Sequence, residues 1–96
     1  MAQYLVEAYM PRRRGDDLRS LVTRARDAAA AMRKEGIDVR YLRPIPVPED
    51  ETCFHLLDAP SAEAVSELSR RADLVYERIA EALEWAGADP EKEDAQ

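Results

Sequence analysis

Between Asp16 and Gly36 the apolar side chains Leu18, Leu21, Val22, Ala25, Ala29 and Met32 recur at spacings of three and four. That period lays one apolar stripe along a helix, and the stripe must be buried against something else. Asp16 can cap the N-terminus, Asp17 sits in the positive end of the dipole, and Ala28–Ala31 favours the helical state. Gly36 supplies the left-handed residue that closes such a helix. About 20 residues give a rod of roughly 30 Å, longer than the radius of about 12–13 Å expected for a domain of this length. The rest of a 96-residue chain therefore has to be arranged against this one element. One domain is expected over residues 1–86. After Gly87 the chain reads ADPEKEDAQ, which predicts an acidic, disordered tail over 87–96.

The flanking segments carry the period of two. Gln3–Met10 alternates and ends at Pro11, so it predicts a strand. Ile37–Arg43 (IDVRYLR) predicts a second strand, which Pro44, Pro46 and Pro48 end, leaving Pro44–Asp50 as a connector. Thr52–Leu57 (TCFHLL) predicts a third. Ser61 then caps a shorter helix whose buried stripe is Val65, Leu68 and Ala72. Leu74–Trp85 fits both periods: Val75, Ile79, Ala82 and Leu83 suit a helix, whereas Ile79, Glu81, Leu83 and Trp85 suit one face of a strand. The order β-α-β-β-α before it favours a fourth strand, because that strand completes a split βαβ unit.

Composition narrows the function classes. The chain is 46% hydrophobic and 35% charged, as soluble globular proteins are. No apolar run approaches the roughly 20 residues that cross a bilayer, and Glu7 interrupts the only N-terminal apolar stretch, so no signal peptide is expected. A single cysteine excludes an internal disulfide, and with no export signal the expected location is the cytoplasm. A net charge of −6 opposes broad attraction to nucleic acid or to an anionic membrane. No nucleophile elbow, phosphate loop or zinc-ligand spacing is present. Arg12-Arg13-Arg14 before a helix N-terminus could hold an anion, but Asp16 and Asp17 already occupy that position, which leaves a solvated loop. Glu49-Asp50-Glu51 reads as a wet turn.

Three stretches, YLVEAYMP (Tyr4–Pro11), VRYLR (Val39–Arg43) and CFHLLDAPSAEAVSELSRRADLVYERI (Cys53–Ile79), resemble a family of small actinobacterial proteins whose named member is a nickel-binding protein with a ferredoxin-like fold. The resemblance spans roughly Tyr4 to Leu83. Its most specific part is Asp58-Ala59-Pro60-Ser61 followed by Glu63-Ala64-Val65 and the basic pair Arg70 and Arg71. It implies an α+β, ferredoxin-like βαββαβ fold: a four-stranded antiparallel sheet with two helices on one face and Arg78–Trp85 as the fourth strand. It also implies a homodimer in which two sheets meet face to face, a dimeric α/β-barrel-like assembly. Many members carry histidines at the positions held here by Arg43 and Leu68. Both are absent, and an arginine stays protonated and cannot ligate a cation.

The open sheet face should hold alternate residues of each strand. Our assignment is Leu5, Glu7 and Tyr9, then Val39, Tyr41 and Arg43, then Cys53, His55 and Leu57, with Glu81 and Leu83 from the fourth strand. A one-residue register error inverts each of these sets. On this assignment Glu7, Tyr9, Tyr41, Arg43 and His55 line a ligand cavity between subunits. Cys53 and His55, at i and i+2, project together and with Glu7 form the candidate metal set, nickel being the metal that the resemblance implies. The favoured reading is a non-enzymatic homodimeric binding protein that holds a small ligand or metal ion in that cavity. A structural or regulatory dimer without ligand is the alternative, as is a small cofactor-free enzyme using His55 and Glu7 as an acid–base pair.

Overall fold

Alternation at the N-terminus builds strand β1 (Ala2–Tyr9), in which Tyr4, Val6 and Ala8 are buried and the residues between them are not. The computed structural model describes residues 2–11 and 15–83. The Arg12–Arg14 loop, Trp85 and the expected 87–96 tail lie outside the described residues.

Helix α1 (Gly15–Lys34) delivers the predicted stripe: Ala25, Ala28, Ala29 and Met32 are buried, and Leu21 and Val22 pack beside them. Its backbone starts at Gly15, so Asp16 falls inside the first turn and not at the cap position. The C-terminus closes as expected. Gly36 has φ +91°, its N–H donates to the Arg33 carbonyl (3.0 Å), and the Ile37 N–H donates to the Met32 carbonyl (3.0 Å). Together these bonds form the paired closure that needs a left-handed residue after the helix.

Strand β2 (Arg40–Val47) starts later than the pattern predicts and runs straight through Pro44 and Pro46. The reason lies in the strand order β2-β3-β1-β4, which places β2 at an edge. A proline at every second residue turns its missing donor outward, where no neighbour needs it. A short 3-10 turn, Pro48–Asp50, then leads into β3 (Thr52–Ala59). In α2 (Ala62–Arg71) the Ser61 hydroxyl accepts from the Ala64 N–H at 3.2 Å, as the sequence predicts. Leu68 and Val65 are fully buried, and Arg71 ties α2 to α1 by donating to both Glu35 carboxylate oxygens (2.7 and 2.8 Å).

After α2, Asp73 turns the chain with φ 55°, and β4 (Arg78–Ala82) pairs antiparallel with β1. Pairing along β1 overrides the helical bias of this segment, aided by the Glu77 N–H donating to the Glu7 carbonyl at 2.7 Å. The described strand ends at Ala82, three residues short of the predicted Trp85. The result is a four-stranded, wholly antiparallel sheet with two helices on one side, the ferredoxin-like α+β arrangement. Among the described residues no helix is long and apolar enough to cross a membrane.

Candidate functional site

The sheet separates two environments. On the helix side, Tyr4, Val6 and Ala8 lie beside Tyr41 of β2 and Cys53, His55 and Leu57 of β3, all buried. On the open side stand Leu5 and Glu7 of β1, Phe54, Leu56 and Asp58 of β3, and Ala80 of β4. The predicted placement therefore holds for β1 and for Arg43 of β2, and is reversed for the other assigned residues of β2 and β3 and for Glu81. Cys53, His55 and Leu57 face the helices, as do Val39 and Tyr41, each of them buried. Glu81 stands opposite Tyr4 and so shares the helix-side parity, while Leu83 is 85% exposed beyond the strand.

Two physical causes account for the reversals. Both alternate sets of TCFHLLDA are apolar enough to be buried, so period alone leaves the register of β3 undetermined. In β2, Tyr41 pairs with Leu57 but Arg43 pairs with Leu56, so Leu42 is an extra residue on that strand. Such a bulge exchanges faces for everything beyond it. Tyr41 goes to the core and Arg43 to the open side.

His55 is fully buried, and the Tyr41 hydroxyl lies 2.6 Å from its Nδ1. Burial lowers the imidazole pKa to about 4, so the ring is neutral at pH 7. Burial also pushes the Tyr41 phenol up, with the Arg26 guanidinium 5.7 Å from its ring centroid acting in the opposite direction. A neutral imidazole has one donor and one acceptor. Which partner donates in the Tyr41–His55 bond depends on the tautomer: with the phenol donating to Nδ1, Nε2 carries the ring proton. Nε2 is buried and has no hydrogen-bond partner among the described residues. Cys53, 1% exposed, has its thiol pushed up by desolvation, which disfavours the thiolate.

His55 and Cys53 contribute to the wall of a cavity of about 240 Å³ under the first half of α1, bounded also by the end of β1 and the Leu74–Val75 turn. Neither this cavity nor the Tyr41–His55 bond follows from the sequence assignment. The signal that locates them is Asp58: its charge marks the open face of β3 and sends the alternate set to the core.

The candidate residues do not converge. Val6 pairs with His55 and Glu7 with Phe54, so the Glu7 carboxylate and the His55 imidazole lie on opposite sides of the sheet. The supposed acid–base pair is thus separated, and so is the metal set. Among the described residues no group of three or more His, Cys, Asp or Glu could hold a metal ion. Glu7, Cys53 and His55 do not fit a nickel site within one protomer. On the open face Glu7 instead accepts from Arg78 at 3.2 Å, Arg43 is exposed, and Tyr9 is 63% exposed. Leu68 is core.

An antiparallel ferredoxin-like domain with one covered and one bare sheet face is the class that this geometry defines. The chain belongs to the SCO4226-like nickel responsive protein family, whose model matches residues 4–82. The chain is also similar to the crystal structure of SCO4226 from Streptomyces coelicolor A3(2). The TM-score is 0.67 and the identity 27%, over 88% of this chain and 100% of that one. No curated protein matches the sequence.

Proposed function

We propose that the chain is a small non-enzymatic binding protein that works as a homodimer, two copies meeting through the bare faces of their sheets. The observation that carries this reading is the row Leu5, Leu56 and Phe54, which is only half-buried because no helix covers that side. A domain of this size buries modest surface by itself, and a second sheet would remove this apolar row from water. Leu5 and Leu56 pair directly across β1 and β3, so the row is continuous. A ligand held between the subunits would meet Glu7, Arg43 and Arg78. The Arg78 guanidinium already neutralises Glu7, and Arg43 adds a further cation. Asp58 on the same face offsets Arg43, so the charges favour neither sign of ligand, while the Glu7 carboxylate, engaged by Arg78, is a poor ligand for a bare divalent cation such as the nickel of the family's name.

Light scattering on a sizing column at micromolar concentration tests the premise. A mass of twice the 10.9 kDa chain is expected for the wild type, and Leu56→Asp should return it to a monomer. A wild-type monomer under those conditions overturns the reading. Native mass spectrometry with added nickel, on wild type and Glu7→Gln, tests the ligand class separately. Nickel retained by the wild type and lost by the variant would restore the metal to this face.

A further inference from the structure

We infer that the groove between α1 and the edge strand β2 is a binding site for a small anion of the diphosphate kind, gripped by the guanidiniums of Arg26 and Arg33. The groove lies at the rim of the sheet on its helix side, so the inference stands apart from the proposed dimer face.

Helical spacing sets the two arginines on one stripe. Arg26, Ala29 and Arg33 follow one another at intervals of three and four and form one wall of an open groove of about 310 Å³. Arg40, Tyr41 and Leu42 of β2 form the other wall. Ala29, buried and carrying only a methyl group, leaves the space between the two arginines open.

The edge strand holds both guanidiniums in place. Arg33 Nη1 donates to the Val39 carbonyl at 2.9 Å, and Arg26 Nη2 donates to the Leu42 carbonyl at 3.3 Å. Leu42 is the bulged residue, whose backbone groups a bulge leaves outside the ladder. The Arg26 guanidinium also lies 5.7 Å from the Tyr41 ring centroid, within range of attraction to the ring. Each guanidinium thus spends one donor on β2 and keeps the rest of its fork for another acceptor.

What the two lack is a counter-ion. Arg40 pairs with Asp38, Arg70 and Arg71 with Glu67, and Arg78 with Glu7. Among the described residues neither Arg26 nor Arg33 has a carboxylate partner, in a chain whose net charge is −6. Val22, Thr23, Ala29 and Ala30 stand three and four positions from Arg26, and none of them is acidic. Asp27 lies about 100° round the helix from Arg26, and Asp38 is engaged by Arg40 at 3.4 Å.

Geometry then selects the anion. The arginines are two helical turns apart and bond carbonyls three residues apart on the strand, a separation of roughly 10 Å in either measure. Guanidiniums take phosphate oxygens in bidentate pairs, and two joined phosphates cover that span where a single one does not. A peptide strand is the poorer occupant. The Val39 and Leu42 carbonyls are already taken, and Pro44 and Pro46 offer no donor to a new ladder.

The test titrates pyrophosphate and orthophosphate into ¹⁵N-labelled protein at pH 7 and fixed ionic strength. Pyrophosphate should shift the Ala29, Arg33 and Leu42 amides saturably and bind about tenfold more tightly than orthophosphate. Arg26→Gln and Arg33→Gln should each weaken pyrophosphate about tenfold. Both side chains are exposed, so these substitutions leave the core intact. Arg70→Gln, which removes an exposed arginine of α2, should keep the affinity within about twofold of the wild type. Absence of saturable shifts, equal affinity for the two anions, shifts centred on other arginines, or an equal loss in Arg70→Gln would each overturn the inference.

Discussion

Tyr41 and His55, on neighbouring strands and fourteen positions apart, are joined in the core by a bond of 2.6 Å between the phenol oxygen and Nδ1, and their rings tilt at 50° to each other. Both partners are buried in the apolar layer, so either would be costly to remove. Tyr41→Phe would leave a second bare nitrogen on a buried ring. We expect a loss of about 1–3 kcal/mol, read from the midpoint of urea unfolding with an unchanged slope.

The same burial gives a signature in pH. His55 has a folded pKa of about 4 against an ordinary value of 6.5. Between those values the unfolded chain takes up a proton that the folded chain refuses, so stability rises with pH across the window. Above pH 6.5 the effect is absent, and it is complete below about pH 4. Its full size is roughly 3 kcal/mol. Glu67, held down at about 2 by hydrogen bonds first from Arg70 and then from Arg71, loses its contribution only below pH 4.5, mostly outside this range. Unfolding midpoints from pH 7 to 4 should therefore slope downward in the wild type and flatten in His55→Gln. An equal slope in both proteins would refute the assignment.

Much of the architecture is legible in the sequence because its signals are local. The 3.6-residue stripe from Leu18 to Met32, the Ser61 cap and the Gly36 closure each depend on a few adjacent residues. What is not legible depends on which strand lies beside which. Pro44 and Pro46 read as a stop until β2 is known to be an edge. Within Cys53–Leu57 the parity of Cys53 and His55 is undecided because Phe54 and Leu56 are equally apolar, and only the charge of Asp58, one residue past the predicted strand end, breaks the tie. The bulge at Leu42 has no signature of its own, yet it decides where Tyr41 and Arg43 go. The resemblance to the nickel family supplied the fourth strand that propensity opposed, but it could not place side chains on faces.

Gly36 is a case in which open space does not mean tolerance. A Cβ built there meets nothing within 4 Å, yet the backbone sits at φ +91°. Gly36→Ala should cost about 1 kcal/mol through backbone strain alone. Gly36→Asn should cost less, since asparagine enters the left-handed region more readily. Chemical denaturation of the two variants side by side checks the order.

Leu68 and Leu83 offer a contrast between two leucines. The first is 0% exposed in α2 and the second 85% exposed beyond β4. Leu68→Ala should remove about 2–5 kcal/mol by leaving a cavity, whereas Leu83→Ala should stay within about 0.5 kcal/mol of the wild type. Thermal unfolding of both variants would show the difference. Comparable losses would mean that Leu83 is covered in solution, which the proposed pairing of two sheets does not by itself require.

The extra residue at Leu42 has a reach beyond its own strand. By exchanging sides midway along β2, the chain lends an aromatic ring to the interior and a guanidinium to the exterior from positions only two apart. Interior and exterior chemistry can then vary without disturbing one another. Were Leu42 paired in regular register instead of bulged, the two would share a face, driving a cation into the core or drawing the phenol away from its imidazole.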